Sequence, residues 1–399
     1  MKHCVIILDG ASGWPLAELD GKTTLTAART PHLDALAREG TVGLAVTVPE
    51  GQEPSSSTAC TSILGYDPVA NRVGRGAIEA ASMGVTLAPD EVALRMNLVH
   101  VDAGVMRSYA CGHISTPESR AIVGELSPTL TTPIFTFYPG VAYRHILVVK
   151  GHPELLDAVY TPPHDITDKP VATHLPQGPG SALLLELMEK ARELLRRSPV
   201  NASRAARGQL PATDIWPFWP GKAPSGMVPF HEARGVRAAM TSGVDLLNGL
   251  AVLAGLTRLH VAGVTDGPDN DYAAQAEAGL AALADHDVVI IHVESPDEMG
   301  HAGDAARKVA AIEAIDREVV SRVRAAAARF ASAGGLRILA MPDHPTPVAL
   351  KTHVREPVPF ILAGPGIARN VAERYDEAAA VATGLTVDPG HLMMDHLLG

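Results

Sequence analysis

Apolar residues in this chain fall into two kinds of run. One kind is short and unbroken: residues 4–8, 287–293, 336–341 and 358–362 are almost wholly apolar and rich in Val and Ile. A run that is apolar on both faces suits a strand buried inside a parallel sheet. The other kind has helical spacing. Leu33, Leu36 and Ala37 lie between Thr30-Pro31 and Gly40, and Val309, Ile312, Ile315, Val319 and Val323 recur through residues 304–332. Thr30 is placed to cap the first of these helices, Pro31 to occupy its first position and Gly40 to end it.

The two kinds alternate. After residue 235 the pattern predicts a strand at 236–240, a helix at 244–253, a short strand at 260–262 and a helix at 273–285. The strand at 287–293, the helix at 304–332 and two more strands follow. Such alternation argues for an α/β fold with a mostly parallel sheet flanked by helices. Residues 70–180 differ: they are rich in Gly and Pro, with short β-like pieces at 85–87, 96–99 and 145–149 and one helix at 116–126. Gly178-Pro179-Gly180 and a helix at 183–196 read as the return to the first pattern. The expected organisation is a discontinuous catalytic domain, 1–69 and 181–399, carrying an inserted, smaller α+β domain at 70–180. An elaborated edge of a single domain is the plainer alternative.

Composition narrows the function classes. The 399 residues are 46% hydrophobic and 19% charged, ordinary for a globular chain of two or three domains. The net charge of −11 argues against nucleic-acid binding, which rests on neutralising phosphates with cations. No apolar stretch approaches the ~18 residues of a membrane span, and the N-terminal run, ending at Asp9, is short for a signal peptide. A cytoplasmic protein is expected. Three cysteines, Cys4, Cys60 and Cys111, give neither a disulfide framework nor a Cys-based zinc site.

The 17 histidines matter more. Acids and imidazoles stand where strands should end: Asp9 after the first, Asp297 and His301 after 287–293, Asp343-His344 after 336–341, with His353 close behind. Ligand sites of open parallel sheets lie beyond the carboxyl ends of the strands. Asp297 and His301 share one face of a helical turn, and such oxygen and nitrogen donors suit Mn²⁺ or Zn²⁺. Taken singly, each pattern is also an ordinary polar turn or cap; together they point to a metal site. The run Glu53-Pro54-Ser55-Ser56-Ser57-Thr58 leads into a short helix with Ile63 and Leu64 facing inward. A serine there has free backbone N–H groups beside it, which favour a phosphoryl group, although plain N-capping uses the same residue type. Cys60 is a weaker nucleophile candidate, having no histidine beside it in sequence.

Leu8-Asp9-Gly10, Thr30-Pro31-His32-Leu33-Asp34, Ser56-Ser57-Thr58-Ala59, Leu64-Gly65-Tyr66-Asp67-Pro68, Asp297-Glu298-Met299-Gly300-His301 and Asp343-His344-Pro345-Thr346-Pro347 occur in this order along nearly the whole chain. Together they resemble the cofactor-independent phosphoglycerate mutases, in particular their archaeal-type branch within the alkaline phosphatase superfamily. The resemblance implies metal-dependent phosphoryl transfer through a phosphoserine, interconverting 2- and 3-phosphoglycerate without 2,3-bisphosphoglycerate. It implies two divalent ions, Mn²⁺ foremost with Zn²⁺, Mg²⁺ or Co²⁺ as alternatives. One would be held by Asp297, His301 and His353, the other by Asp9, Asp343, His344 and the hydroxyl of Ser56, the nucleophile. The partner implied is a small phosphorylated metabolite.

Two departures bear on the substrate. The family's Ser-Asp-Thr-Ala reads Ser56-Ser57-Thr58-Ala59, and where it carries Arg-Arg-Ala-Gly-Arg ahead of Ile-Ser/Thr this chain reads Arg107-Ser108-Tyr109-Ala110-Cys111-Gly112-His113-Ile114-Ser115, so that at least one Arg has become His113. Phe137-Tyr138-Pro139-Gly140-Val141-Ala142-Tyr143-Arg144-His145 and Pro162-Pro163-His164-Asp165-Ile166-Thr167 look closer to a bacterial subgroup proposed to phosphorylate homoserine. Transfer to another small alcohol, or phosphomonoester hydrolysis, is the alternative. Arg75, Arg107, His113, Arg144 and His164 are the candidates for holding substrate.

Overall fold

The computed structural model describes residues 1–224 and 226–399. The chain forms two compact units, Met1–Arg72 with Gly226–Gly399, and Val73–Ser225. In chain order the strands are β1 (Lys2–Leu8), β2 (Thr41–Ala45), β3 (Glu91–Asp102), β4 (Val105–Ser108), β5 (Phe135–Tyr138), β6 (Arg144–Lys150) and β7 (Asp214–Lys222). They continue as β8 (Ala238–Thr241), β9 (Thr257–Arg258), β10 (Val288–Val293), β11 (Leu336–Met341), β12 (Val358–Ala363) and β13 (Thr386–Val387).

The larger unit holds an eight-stranded sheet in the order β13-β2-β12-β11-β1-β10-β8-β9. Pairing is parallel except where β12 meets β11 and β2. β1 lies between β10 and β11, both parallel to it, and every residue of β1 from His3 to Leu8 is buried. That burial explains the unbroken apolar run, since each face of the strand meets a layer of helices. The carboxyl ends of β1, β10 and β11 therefore sit side by side.

The helix Pro31–Glu39 starts and stops where the sequence places it, but Thr30 makes no side-chain cap. The buried carboxylate of Asp316 accepts from the backbone N–H of Leu33 at 2.7 Å and of His32 at 3.2 Å instead. A capping group can come from a distant segment, because the free N–H groups ask only for an acceptor. Asp316 also opens a π-helical turn, Asp316–Val320, so the expected single helix at 304–332 is Ala305–Ile315, this turn, Ser321–Ala326 and a 3-10 stretch, Ala327–Ala333. The short strand expected at 260–262 falls instead at β9, where Thr257 and Arg258 pair with β8.

The inserted unit is built on β3, a 12-residue strand, in a sheet ordered β4-β3-β6-β5 with β7 also paired to β3. Helices Thr116–Leu130 and Ser181–Leu195 pack on it through Ile122, Val123, Leu126, Leu184, Leu187 and Met188. The helix Arg75–Ser82 lies so close to the sheet that a Cβ on Gly76 would fall on the carbonyls of Ala93 and Trp219. Residues 85–87 form no strand, although Val85 and Leu87 pack against Ala80, Ala93, Ile146 and Val148.

The expected boundary at 180 needs correction: this unit runs on to residue 225. Gly178-Pro179-Gly180 is a turn, with φ of 94° at Gly178 and 72° at Gly180, that delivers the helix Ser181–Leu195 onto the insert's own core. β7 then pairs with β3 along almost its whole length. No helix among the described residues is long and apolar enough to cross a membrane.

Candidate active site

Asp9 follows β1, Glu294 follows β10 and Asp343 lies two residues past β11, so the sheet itself gathers three acids. Asp9 and Asp343 are fully buried, and Asp297, in the first turn of the helix Ser295–Ala302, is 2% exposed. Gly10 turns the chain away from the site at φ 59°, and a Cβ there would fall on the side chains of Asp297 and Thr346. Its N–H donates to Asp343 Oδ1 at 3.1 Å, and the N–H of His344 donates to the same oxygen at 2.8 Å.

The imidazoles face these acids. His301 Nε2 lies 3.0 Å from Asp297 Oδ2, and His353 Nε2 lies 3.5 Å from Asp297 Oδ1. His344 Nε2 lies 3.3 Å from Asp343 Oδ2 and 3.7 Å from Asp9 Oδ1. The other ring nitrogens are occupied. His301 Nδ1 is 3.0 Å from the carbonyl of Lys351, and His353 Nδ1 is 3.1 Å from that of Pro54. A carbonyl only accepts, so both Nδ1 atoms carry the donated proton. The hydroxyl of Thr346 donates to Asp297 Oδ1, so His344 Nδ1, 3.3 Å away, donates to that hydroxyl oxygen. Assigned from these partners, all three rings turn an Nε2 toward the acids, each held by a second bond of the kind that orients metal-ligating histidines.

His301 Nε2 and His353 Nε2 stand 2.9 Å apart. If both rings are neutral, two lone pairs face each other across that gap, and only a proton or a metal cation relieves it. The bond to Asp297 raises the His301 imidazole to about 9, while burial opposes it. Burial holds His344 below the ordinary histidine value. Burial first, then the charges of Asp343 and Asp297, pushes Asp9 well above the carboxylate range. At an effective dielectric of about 20, two like charges about 4 Å apart repel by about 4 kcal/mol. Acids packed this way need cations between them. The donors converge in groups that fit divalent ions: Asp297, His344 and His353, and Asp9, Asp343 and His344, each with ligand atoms within 4.8 Å of one another. His301 lies on the first group through Asp297 and His353.

Ser56 is the first residue of the eight-residue helix Ser56–Ile63. It is 8% exposed, and its Oγ lies 3.2 Å from His344 Nε2. The cap is Ser55, whose Oγ accepts from the N–H of Thr58 at 3.3 Å. Ser56 is therefore not used as the cap. Ile63 and Leu64 are buried as expected. Cys60 is buried with its Sγ 3.8 Å from Asp343 Oδ2, and burial with that charge pushes its thiol well up, away from the reactive thiolate.

The substrate candidates lie in the inserted unit. Arg75 stacks its guanidinium 3.9 Å from the centre of the Trp219 ring and pairs with Glu79 at 2.9 Å. The same Glu79 oxygen accepts from Arg95 Nη1 at 2.9 Å. Arg95 is 7% exposed, and burial lowers its pKa, with the charges of Arg75 and Arg144 adding to the effect. His164 packs edge-on against Tyr109, Phe218 and Trp219. Arg75, Arg95 and His164 thus share one neighbourhood around Trp219, in which two guanidiniums share the Glu79 carboxylate; Arg144, exposed at the start of β6, bears on it only as a charge acting on Arg95. Arg107 pairs with Asp168 at 3.2 Å on the surface, and His113 is exposed in a left-handed turn, φ 57°.

Sequence reasoning missed Arg95, His292, Glu294 and the positioning residue Thr346. The signal for the first two was a charged or polar residue inside an otherwise apolar strand.

A mostly parallel sheet whose carboxyl edge carries acids, imidazoles and a buried helix-terminal serine defines an α/β enzyme equipped for phosphoester chemistry. Residues 37–201 match the family model described as 2,3-bisphosphoglycerate-independent phosphoglycerate mutase. A probable mutase of that description from Geobacter sulfurreducens is 45% identical, over 100% of both chains. One from Methanothrix thermoacetophila is 44% identical, over 98% of both. Among solved structures, the cofactor-independent phosphoglycerate mutase of Thermoplasma acidophilum is 25% identical with a TM-score of 0.70, covering 100% of this chain and 99% of that one. A Pyrococcus horikoshii protein is 27% identical with a TM-score of 0.83, covering 100% and 96%. The chain belongs to the 2,3-bisphosphoglycerate-independent phosphoglycerate mutases, a family of isomerases.

Proposed function

We propose that this chain interconverts 2- and 3-phosphoglycerate through a phosphoserine on Ser56, assisted by two divalent ions. The observation that carries the reading is the placement of Ser56: a buried hydroxyl at a helix N-terminus, 3.2 Å from His344 Nε2 and not used as the cap. Asp297, His301 and His353 would hold one ion, and Asp9, Asp343, His344 and the Ser56 hydroxyl the other. Mn²⁺ suits such mixed carboxylate and imidazole sets. When bound, the ions screen phosphate charge and favour the alkoxide of Ser56.

Ser56 Oγ attacks phosphorus in line, losing its proton. The Oγ–P bond forms as the bond from phosphorus to the glycerate oxygen breaks, and that oxygen takes up a proton. N–H groups of the first helical turn lie beside the phosphoryl group and accept its developing charge. Reversal onto the neighbouring glycerate hydroxyl completes the isomerisation and restores the serine. Arg75, Arg95 and Arg144 take the substrate's carboxylate and phosphate; Arg75 and Arg95 share the single Glu79 carboxylate, which leaves an excess positive charge that suits such an anion. The insert is the unit to which substrate binding is assigned.

Manganese-loaded protein incubated with 3-phosphoglycerate should yield the 2-isomer, resolved by ³¹P NMR. Release of inorganic phosphate alone would make the chain a phosphatase. Inertness toward phosphoglycerate, with transfer to or from homoserine, would move the substrate and leave the serine chemistry in place.

A further inference from the structure

Where β7 pairs with β3, Leu94 stands opposite Pro220 and Arg95 opposite Phe218, so Trp219 is an extra residue, the bulged member of the pair. Its φ is 48°, in the left-handed region that bulky side chains rarely adopt. A bulge turns a side chain out of the strand's alternation, and backbone strain of this kind gathers where the turned side chain is used.

The indole is turned onto cations. The Arg75 guanidinium lies 3.9 Å from the centre of the Trp219 ring, and that of Arg95 lies 5.6 Å from it. Phe218, at 4.6 Å, and His164, at 5.6 Å, pack against the same ring.

The helix Arg75–Ser82 reaches the bulge through a seat of glycines. A Cβ on Gly74 would lie 2.3 Å from the carbonyl oxygen of Pro220, one on Gly76 2.6 Å from that of Trp219, and one on Gly221 2.5 Å from that of Gly74. None of the three has a left-handed φ, so space alone excludes a side chain there. Arg75 is the first residue of this helix, and the close approach lays it on Trp219.

Hydrogen bonds hold the two guanidiniums from one side. Arg75 Nε and Arg95 Nη1 each donate to Glu79 Oε1 at 2.9 Å. Among the described residues the Nη atoms of Arg75 make no hydrogen bond. A guanidinium is a planar fork, and stacking on an aromatic face fixes its plane. A carboxylate is planar too and is met in a bidentate pair only when the two planes agree. The tetrahedral oxygens of a phosphate set no such condition.

We propose that Trp219 is a positioning residue that makes the insert selective for carboxylate-bearing phosphoesters, its indole fixing the planes of the Arg75 and Arg95 guanidiniums, a role that rests on the proposed assignment of both arginines to substrate. A tryptophan that only filled space would, on removal, weaken every ligand alike or none.

The test measures binding without turnover. Manganese-loaded Ser56→Ala protein is titrated calorimetrically with 3-phosphoglycerate and with glycerol 3-phosphate, which keeps the phosphoester and lacks the carboxylate. Adding Trp219→Leu should weaken 3-phosphoglycerate binding by roughly 5- to 30-fold, the scale of a cation–π contact. Affinity for glycerol 3-phosphate and manganese content should not change. Trp219→Phe, which keeps a ring, should recover most of the loss. Trp219→Gly, which suits the positive φ, supplies the same comparison if Trp219→Leu fails to fold. Unchanged 3-phosphoglycerate affinity in Trp219→Leu, with weaker binding in Arg95→Met, would overturn the role of Trp219 and leave the arginine assignment standing. Equal weakening of both ligands, or no recovery in Trp219→Phe, would reduce Trp219 to packing and overturn its role as well. Unchanged affinity in Arg95→Met would overturn both.

Discussion

The two units present opposite electrostatic problems. The larger one buries four carboxylates, Asp9, Glu294, Asp297 and Asp343, against four imidazoles, His292, His301, His344 and His353. The insert sets two guanidiniums, Arg75 and Arg95, against Glu79, with Trp219 and His164 as aromatic walls. In the first, the acids repel one another and Nε2 lone pairs converge, so small cations fit. In the second, two guanidiniums share one carboxylate, so positive charge is in excess and an organic anion fits. The first centre draws on strand ends hundreds of residues apart; the second is drawn from one helix and the strands beneath it. Under the proposed function the difference would separate labour: reaction chemistry in the larger unit, substrate recognition in the insert.

Breaking the first centre should have the larger effect. Ser56→Ala should reduce kcat by roughly 10⁴-fold or more, the scale on which loss of a covalent nucleophile acts, while dialysis still finds both ions held by the remaining ligands. Asp343→Asn should cost less, roughly 10³-fold in kcat, corresponding to several kcal/mol of lost transition-state stabilisation. It should also lower bound manganese. Unchanged metal content in that variant would remove Asp343 from the ligand set.

The insert should respond differently. Arg95→Met removes a guanidinium that Glu79 and Asn97 hold in place. A lost charge-assisted hydrogen bond is worth roughly 1.5–3 kcal/mol. KM for 3-phosphoglycerate should therefore rise roughly 10- to 100-fold, with manganese content unchanged. A fall in kcat alone, at constant KM, would contradict the division between the two centres. Arg75→Lys should act in the same direction but more weakly, because lysine keeps the charge and loses the planar stack on Trp219.

The smallest effect concerns pH. In chelator-stripped protein the bond to Asp297 raises His301 to about 9 from an ordinary value of 6.5. A group whose pKa is raised on folding stabilises the fold fully below 6.5, and that stabilisation is lost as pH rises through about 9. The Tm advantage of stripped wild type over His301→Gln should shrink between pH 6.5 and 9. A constant difference across that range would show that His301 is not bonded to Asp297 as a cation.

The sequence read well where burial is continuous. β10 and β11 were legible because both faces meet helices, leaving no polar alternation to confuse period with loop. β7 was not legible: Pro217 and Pro220 break the donor pattern of a strand, yet β7 pairs with β3 alone among the described strands, an edge position that tolerates proline. The turn at 178–180 looked like a boundary because Gly and Pro mark turns and linkers alike; only tertiary packing distinguishes them. The strand-end acids and histidines were legible as a set. Glu294 stood among them without a role, and Arg95 and His292 were hidden inside apolar strands. The capping of residues 31–39 by Asp316 has no local signal, since its carboxylate arrives from a distant helix.

The central claim is that Ser56 carries the phosphoryl group. Manganese-loaded protein quenched during turnover, digested and analysed by tandem mass spectrometry tests it directly. The account predicts one added phosphoryl group on Ser56, absent from Ser56→Ala. A phosphoryl group on Ser55 or Ser57, or full isomerase activity in Ser56→Ala, would contradict it.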